Sequence, residues 1–222
     1  ILGLFMGFGL CLSAVAIRRP LALKFAVLFL FAFFMIFSFS RAAWVGAFCA
    51  LVFYGALNLK SLNKKYLLFT VCFIALFAVL LALSPSFEQR LAALFSGDSS
   101  GRTVIWSYIL EMVQQKPILG YGLGSYINLP GSPVLEHPEY NAPHNLFLEI
   151  LLYSGALGLI FYGAILFGVF KECIQSRQFG VLTLLIYLLI DCQFDHGAYL
   201  SKEALSLATI LSFLAYRARI ER

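Results

Sequence analysis

The 222 residues are 61% hydrophobic and 12% charged, with 23 Phe and 11 Tyr. A single water-soluble core of this length cannot hide so much apolar surface, which excludes an ordinary soluble domain. The net charge of +5 would suit nucleic acid, but the positions of the basic residues along the chain give it another meaning.

The chain begins at Ile1, inside an apolar run, with no initiator Met, charged n-region or cleavage site. It reads as a cut within a longer protein, with further spans expected upstream. Seven apolar segments follow: 1–17, 21–39, 42–59, 66–83, 146–170, 179–190 and 197–216. Most are close to the roughly 20 residues that cross a bilayer. The sixth is short and is extended, if at all, by 191–194. The predicted fold is an all-α polytopic membrane protein with about seven transmembrane helices. Its organisation is 1–83 (four spans), 84–145 (one large, partly helical loop) and 146–222 (three spans and a tail).

Orientation follows from the basic residues. Arg18, Arg19, Lys60, Lys64, Lys65, Lys171, Arg177, Arg217, Arg219 and Arg222 fall on one side by strict alternation, which is therefore cytoplasmic. Arg41, Arg90, Arg102, Lys116 and Lys202 fall on the other. The positive charge is an orientation signal, so nucleic acid is not an expected partner; membrane lipids are.

The outer loop 84–145 is too long to be a plain connection. Phe87, Leu91, Leu94 and Phe95 are spaced as one face of an amphipathic helix able to lie on the membrane. After SGDSSG, Ser99 or Ser100 is expected to cap a second helix from about Arg102 to Gln115. Its apolar face is Ile105, Tyr108, Ile109 and Met112, and Pro117 ends it. The remainder, rich in Gly, Pro and Asn, reads as an ordered loop.

Three residues stand out for chemistry. Arg41, in FSFSRAAW, lies in a tight outer turn close to the bilayer. Its bland reading is an Arg that snorkels into head groups. Charged groups at mid-membrane cost about 2.5–3.5 kcal/mol on insertion scales, so such residues are functional candidates by default. Arg102 opens the loop helix. A solvated helix-start residue is the plain alternative, but a helix N-terminus plus a guanidinium fork suits a phosphate. His144, in NAPHNLFLEILLYSGALGLI, stands where the loop re-enters the membrane. It is either an interfacial cap or a general base, since histidine titrates near neutrality. His137, in LEHPEY, competes for the second role from a more polar stretch.

The run GYGLGS at 120–125 resembles a nucleotide loop only superficially, because it follows a helix stop and no βαβ unit surrounds it. Its glycines read as tight turns or close backbone approach. Asp191, Asp195 and His196 have no familiar metal spacing and read as a solvated turn. The cysteines form no disulfide or metal pattern, and no metal or cofactor is expected.

Taken in order, SRAAWVG at a span start, GRTVIW in the outer loop, GYGLGSY and APHNLFLEILLYSGALG resemble the O-antigen ligase and polymerase superfamily. The resemblance covers roughly Phe39 to Gly168. It implies the polytopic glycosyltransferase class in the bacterial inner membrane, with the active site facing the periplasm. It also implies a glycan donor linked to undecaprenyl diphosphate. Arg41 and Arg102 would then hold the diphosphate and His144 would be the base, giving inversion without a metal. The expected acceptor is lipid A-core, as in the ligases, ahead of a growing glycan (the polymerases) or a protein (the O-oligosaccharyltransferases). A flippase or transporter of lipid-linked glycan is the non-enzymatic alternative, and it calls for paired broken helices near the midplane.

Overall fold

In the computed structural model, the described residues are 2–17, 20–57, 75, 79 and 101–194. Their regular elements are all helices, with no strand among them. The predicted span 66–83 apart from residues 75 and 79, the predicted span 197–216, the helix around Phe87–Phe95, Asp195 and His196 lie outside the described residues. So do most of the basic residues expected on the cytoplasmic side. The chain divides into two compact units, one of residues 1–98 with 179–191, the other of 99–178 with 192–222.

The first unit is built from α1 (Leu2–Ala16), α2 (Leu21–Phe37), α3 (Arg41–Leu57) and, late in the chain, α6 (Phe179–Asp191). α1 packs against the other three, and α3 packs against α6. These helices are apolar but only 13–17 residues long. Small residues let their backbones approach closely, as in membrane helix bundles. The Tyr187 ring occupies the space left by Gly7 and Gly46: a Cβ on Gly7 would lie 2.3 Å from its hydroxyl oxygen. That hydroxyl donates to the Leu4 carbonyl at 3.0 Å. Lys24, which the orientation pattern does not use, is 4% exposed. Its ammonium donates to the Ala14 carbonyl at 2.6 Å, where the last turn of α1 offers unpaired carbonyls and negative dipole. Asp191 corrects its expectation as part of a solvated turn: it is 1% exposed at the end of α6.

The second unit holds α4 (Arg102–Gln115), two 3-10 turns (Ser125–Asn128 and Pro133–Leu135) and α5 (Leu146–Gln175). The face expected of α4 is the one it buries: Ile105, Ile109 and Met112 join Tyr126, Leu152 and Tyr153 in a core, with Tyr108 packed beside them. The expected Ser cap is replaced by Gly101, which precedes α4 with a left-handed φ of 77°. The reason is contact: a Cβ at Gly101 would stand 2.4 Å from the Tyr140 ring. The Lys116 backbone leaves helical geometry just before Pro117, as the residue ahead of a proline must.

α5 is the one described helix long and apolar enough to cross a membrane, but it is not the continuous span expected. Gly155 breaks it, with φ 62° and ψ −163°. The loop backbone fills the break. Tyr121 and Gly122 donate to the carbonyls of Leu152 and Tyr153 at 2.8 and 2.9 Å. In return, Ala156 and Leu157 donate to the carbonyls of Pro117 and Ile118 at 2.8 and 3.3 Å. The carbonyls ending one half-helix and the amides starting the next would otherwise lack partners. Each set is satisfied by the loop. The glycines of ILGYG and YSGALG therefore permit close approach, as expected of the first, but of backbone to backbone: a Cβ at Gly155 would lie 2.2 Å from the Ile118 oxygen. Residues 146–153 and 155 are mostly buried, whereas Leu157, Ile160, Phe161, Ile165 and Phe167 are exposed.

Candidate functional site

Arg102 is the first residue of α4, and its guanidinium donates to the Phe194 carbonyl. One turn on, the Trp106 indole donates to the Pro143 carbonyl at 3.0 Å. Positions i and i+4 share a helix face, so one face of α4 sends Arg102 to Phe194 and Trp106 to the peptide that leads into His144. Arg102 is partly exposed while its Nε is buried.

His144 itself has a φ of 51°. A left-handed non-glycine residue costs of order 1–3 kcal/mol and persists only where its surroundings impose it. Here they do so from both sides. Trp106 holds the carbonyl before it. After it, Asn145 caps α5, its Oδ1 accepting from the Leu148 amide at 3.1 Å. Asn145 Nδ2 donates to the Gln193 carbonyl at 3.4 Å, and the Leu146 amide donates to the Cys192 carbonyl at 2.9 Å. Three successive carbonyls, of Cys192, Gln193 and Phe194, thus receive Leu146, Asn145 and Arg102. This strip ties the start of α4 to the start of α5, so Arg102 and His144 belong to one cluster. The His144 ring is partly exposed, with Nδ1 buried.

Glu149 lies in the first turn of α5 and is 2% exposed. The positive end of the helix favours a carboxylate there. His137 stands apart: its side chain is 52% exposed, paired with Glu139 at 3.1 Å and tilted against the Tyr140 ring. Behind these residues the loop is stiffened by tyrosines. Tyr126 is fully buried and donates to the Tyr140 carbonyl at 3.0 Å. Burial, with Tyr108 beside it, pushes its hydroxyl up to about 12. It therefore stays a donor at physiological pH, and its support is lost only as pH climbs from the ordinary tyrosine value through 12.

Arg41 belongs to the other unit. It opens α3 after the turn 38–40, in which Phe39 has a φ of 53°. The Ser40 hydroxyl accepts from the Ala43 amide at 3.3 Å, and the Trp44 indole donates to the Met35 carbonyl at 3.1 Å. Trp106, the bond from Asn145 to Gln193 and the carbonyl strip escaped the sequence reading. The i+4 spacing of Arg102 and Trp106 is the signal that points to the first.

The family described as O-antigen ligase matches residues 25–163, a stretch containing Arg41, Arg102, Trp106 and His144. A Rickettsia conorii protein with the provisional name polysaccharide ligase is 30% identical over 101 residues, 41% of this chain and 25% of the relative. A Rickettsia felis protein with the same provisional name is 33% identical over 92 residues, 37% of this chain and 23% of the relative. The chain matches about a quarter of the length of these curated relatives. No solved structure matches it.

Proposed function

From the premise that this chain belongs to the O-antigen ligase family, we propose that it carries the catalytic part of a membrane glycosyltransferase. The donor is a glycan on undecaprenyl diphosphate, and the acceptor is a hydroxyl of lipid A-core at the periplasmic face of the inner membrane. The acceptor oxygen attacks the anomeric carbon as the bond from that carbon to the carrier phosphate breaks. The diphosphate lipid leaves with the bonding pair, the acceptor proton passes to His144, and the configuration inverts.

Charge builds on the leaving diphosphate, and donors already aimed at developing charge are worth most in a dry site. Arg41 and Arg102 are assigned that task, each presented at a helix start where backbone amides add positive potential. Neutral imidazole at His144 is the base. The observation that supports this reading is the hydrogen-bond network in which Arg102 reaches Phe194 and Trp106 reaches Pro143, next to His144, because one scaffold then carries both the proposed phosphate-binding group and the proposed base.

Gel analysis of surface polysaccharide in a deletion strain, complemented with the full-length protein or its variants, tests the proposal. Loss of all glycan on the lipid core, restored by the wild type and not by His144→Ala, is the expected result. Core capped by a single repeat unit would make the enzyme a polymerase instead. Normal surface glycan in the deletion strain would end the proposal.

A further inference from the structure

The lipid-facing half of α5 is too short for the layer it has to cross. Its uninterrupted apolar stretch, 156–170, is about 15 residues, or roughly 22 Å at 1.5 Å per residue. The hydrocarbon core is about 30 Å thick. Tilting the helix only deepens the shortfall. Shifting the layer toward the C-terminal end would bury Lys171 and Glu172, both exposed charges.

The other end of the half-helix offers apolar surface at the required level. Hydrogen bonds from Ala156 and Leu157 to the Pro117 and Ile118 carbonyls hold residues 117–118 beside the first turn of this half. There Ile118, Leu119 and Leu123 are 62%, 71% and 62% exposed. Three large aliphatic side chains so close together are costly in water. Immediately before them, the Lys116 ammonium lies 4.7 Å from the Tyr121 ring centre. A lysine and a tyrosine are the residue types that sit where head groups meet acyl chains.

We infer that residues 117–123 form a re-entrant segment seated in the outer leaflet, with Ile118, Leu119 and Leu123 against lipid acyl chains. The inference rests on the reading of α5 as a membrane span. Non-helical backbone survives at membrane depth only where protein groups satisfy it, and the paired bonds across the Gly155 break supply that. The break is then the device that lets a loop enter the leaflet without bare amides. The partner of this surface is the bilayer itself, continuous with the lipid-facing side of 156–170.

The test places nitroxide labels on the full-length protein through a genetically encoded keto amino acid, at Leu119, at Phe161 in the span, or at Glu139 in the polar loop. The protein is reconstituted in phosphatidylethanolamine–phosphatidylglycerol vesicles, and collision with oxygen is compared with collision with a water-soluble nickel chelate. The expected result is an oxygen-to-nickel ratio at 119 that matches 161 and stands well above 139. A label at Leu123 repeats the measurement should 119 perturb folding. A lipid-like ratio at 161 with a water-like ratio at 119 would overturn the inference and leave the span intact. Nickel access at 161 would remove the span reading and the inference with it. A label at 119 reached by neither reagent would mean that protein covers this surface, which also overturns it.

Discussion

The turn that presents Arg41 and the turn that presents Arg102 solve one problem in two ways. Each sets an arginine at the first position of a helix, with a left-handed residue one or two positions before it and a tryptophan three or four positions after it. Each tryptophan donates its indole N–H to a backbone carbonyl. At Arg41 the partners are close in sequence: Trp44 reaches Met35, nine residues back, and Ser40 caps its own helix. At Arg102 they are remote: Trp106 reaches Pro143, 37 residues on, and the guanidinium reaches Phe194, 92 residues on. The turn that leads into Arg41 is held by its own neighbours. A remotely held one is fixed only when the unit has folded, and it brings its neighbours, His144 among them, into place at the same time.

That contrast can be broken at its strongest point first. His144→Ala should cut turnover by about 10²–10⁴-fold, the usual worth of a positioned general base, while exposed His137→Ala should leave the rate near wild type. In the proposed mechanism neutral imidazole is the working form, so the wild-type rate should fall at acid pH, and the His144→Ala variant should lack that limb. Rates measured with lipid-linked donor over a range of pH decide this; wild-type turnover at 144→Ala would dismiss the base assignment. Carrier lipid should still co-purify, since the proposed mechanism gives its diphosphate to the arginines.

Next come the arginines. Arg41→Ala and Arg102→Ala should each lower turnover by about 10²–10³-fold, as loss of one charge-stabilising donor does, at normal membrane levels. Lysine should rescue only in part, because it lacks the planar fork. An Ala variant as active as wild type would take that arginine out of the site.

The smallest effects separate the two turns most sharply. Trp106→Phe removes one hydrogen bond, worth about 1 kcal/mol net, but it frees the carbonyl before His144. A loss of roughly tenfold in kcat is expected, since about 1.4 kcal/mol is tenfold in rate, with KM little changed. Trp44→Phe removes a bond from a turn that Ser40 also holds. It should lower the thermal midpoint slightly and leave kcat alone. Equal kinetic effects would erase the distinction between local and remote holding.

The same distinction explains what could be read in the sequence. The buried face of α4 and the stop before Pro117 depend on spacing and on neighbours a few residues away, and they stand as expected. The cap of α4 was misread because Ser99 and Ser100 have the right chemistry, whereas Tyr140, 39 positions beyond Gly101, leaves room for glycine alone. The break in α5 was missed for a similar reason. In YSGALG a glycine looks like a packing residue of a continuous span, and only the arrival of Pro117–Gly122 backbone shows why the helix must stop there. Arg102 and His144 were each visible as candidates. Their common scaffold of Trp106 and the carbonyls at 192–194 was not, because no periodicity links positions so far apart.

The interlock at Gly155 also constrains the order of assembly. Residues 117–122 leave the ribosome before residues 152–157, so the loop at first lacks its partners. Tyr121 and Gly122 must bond to water until the next span arrives. Docking therefore waits on α5 and ties completion of the loop to the moment that helix is placed, because loop closure over such separations precedes the contacts that reward it. Gly155→Ala would strike at that step: a side chain at positive φ, aimed at the Ile118 carbonyl, would leave α5 freer to run straight and the loop without its seat.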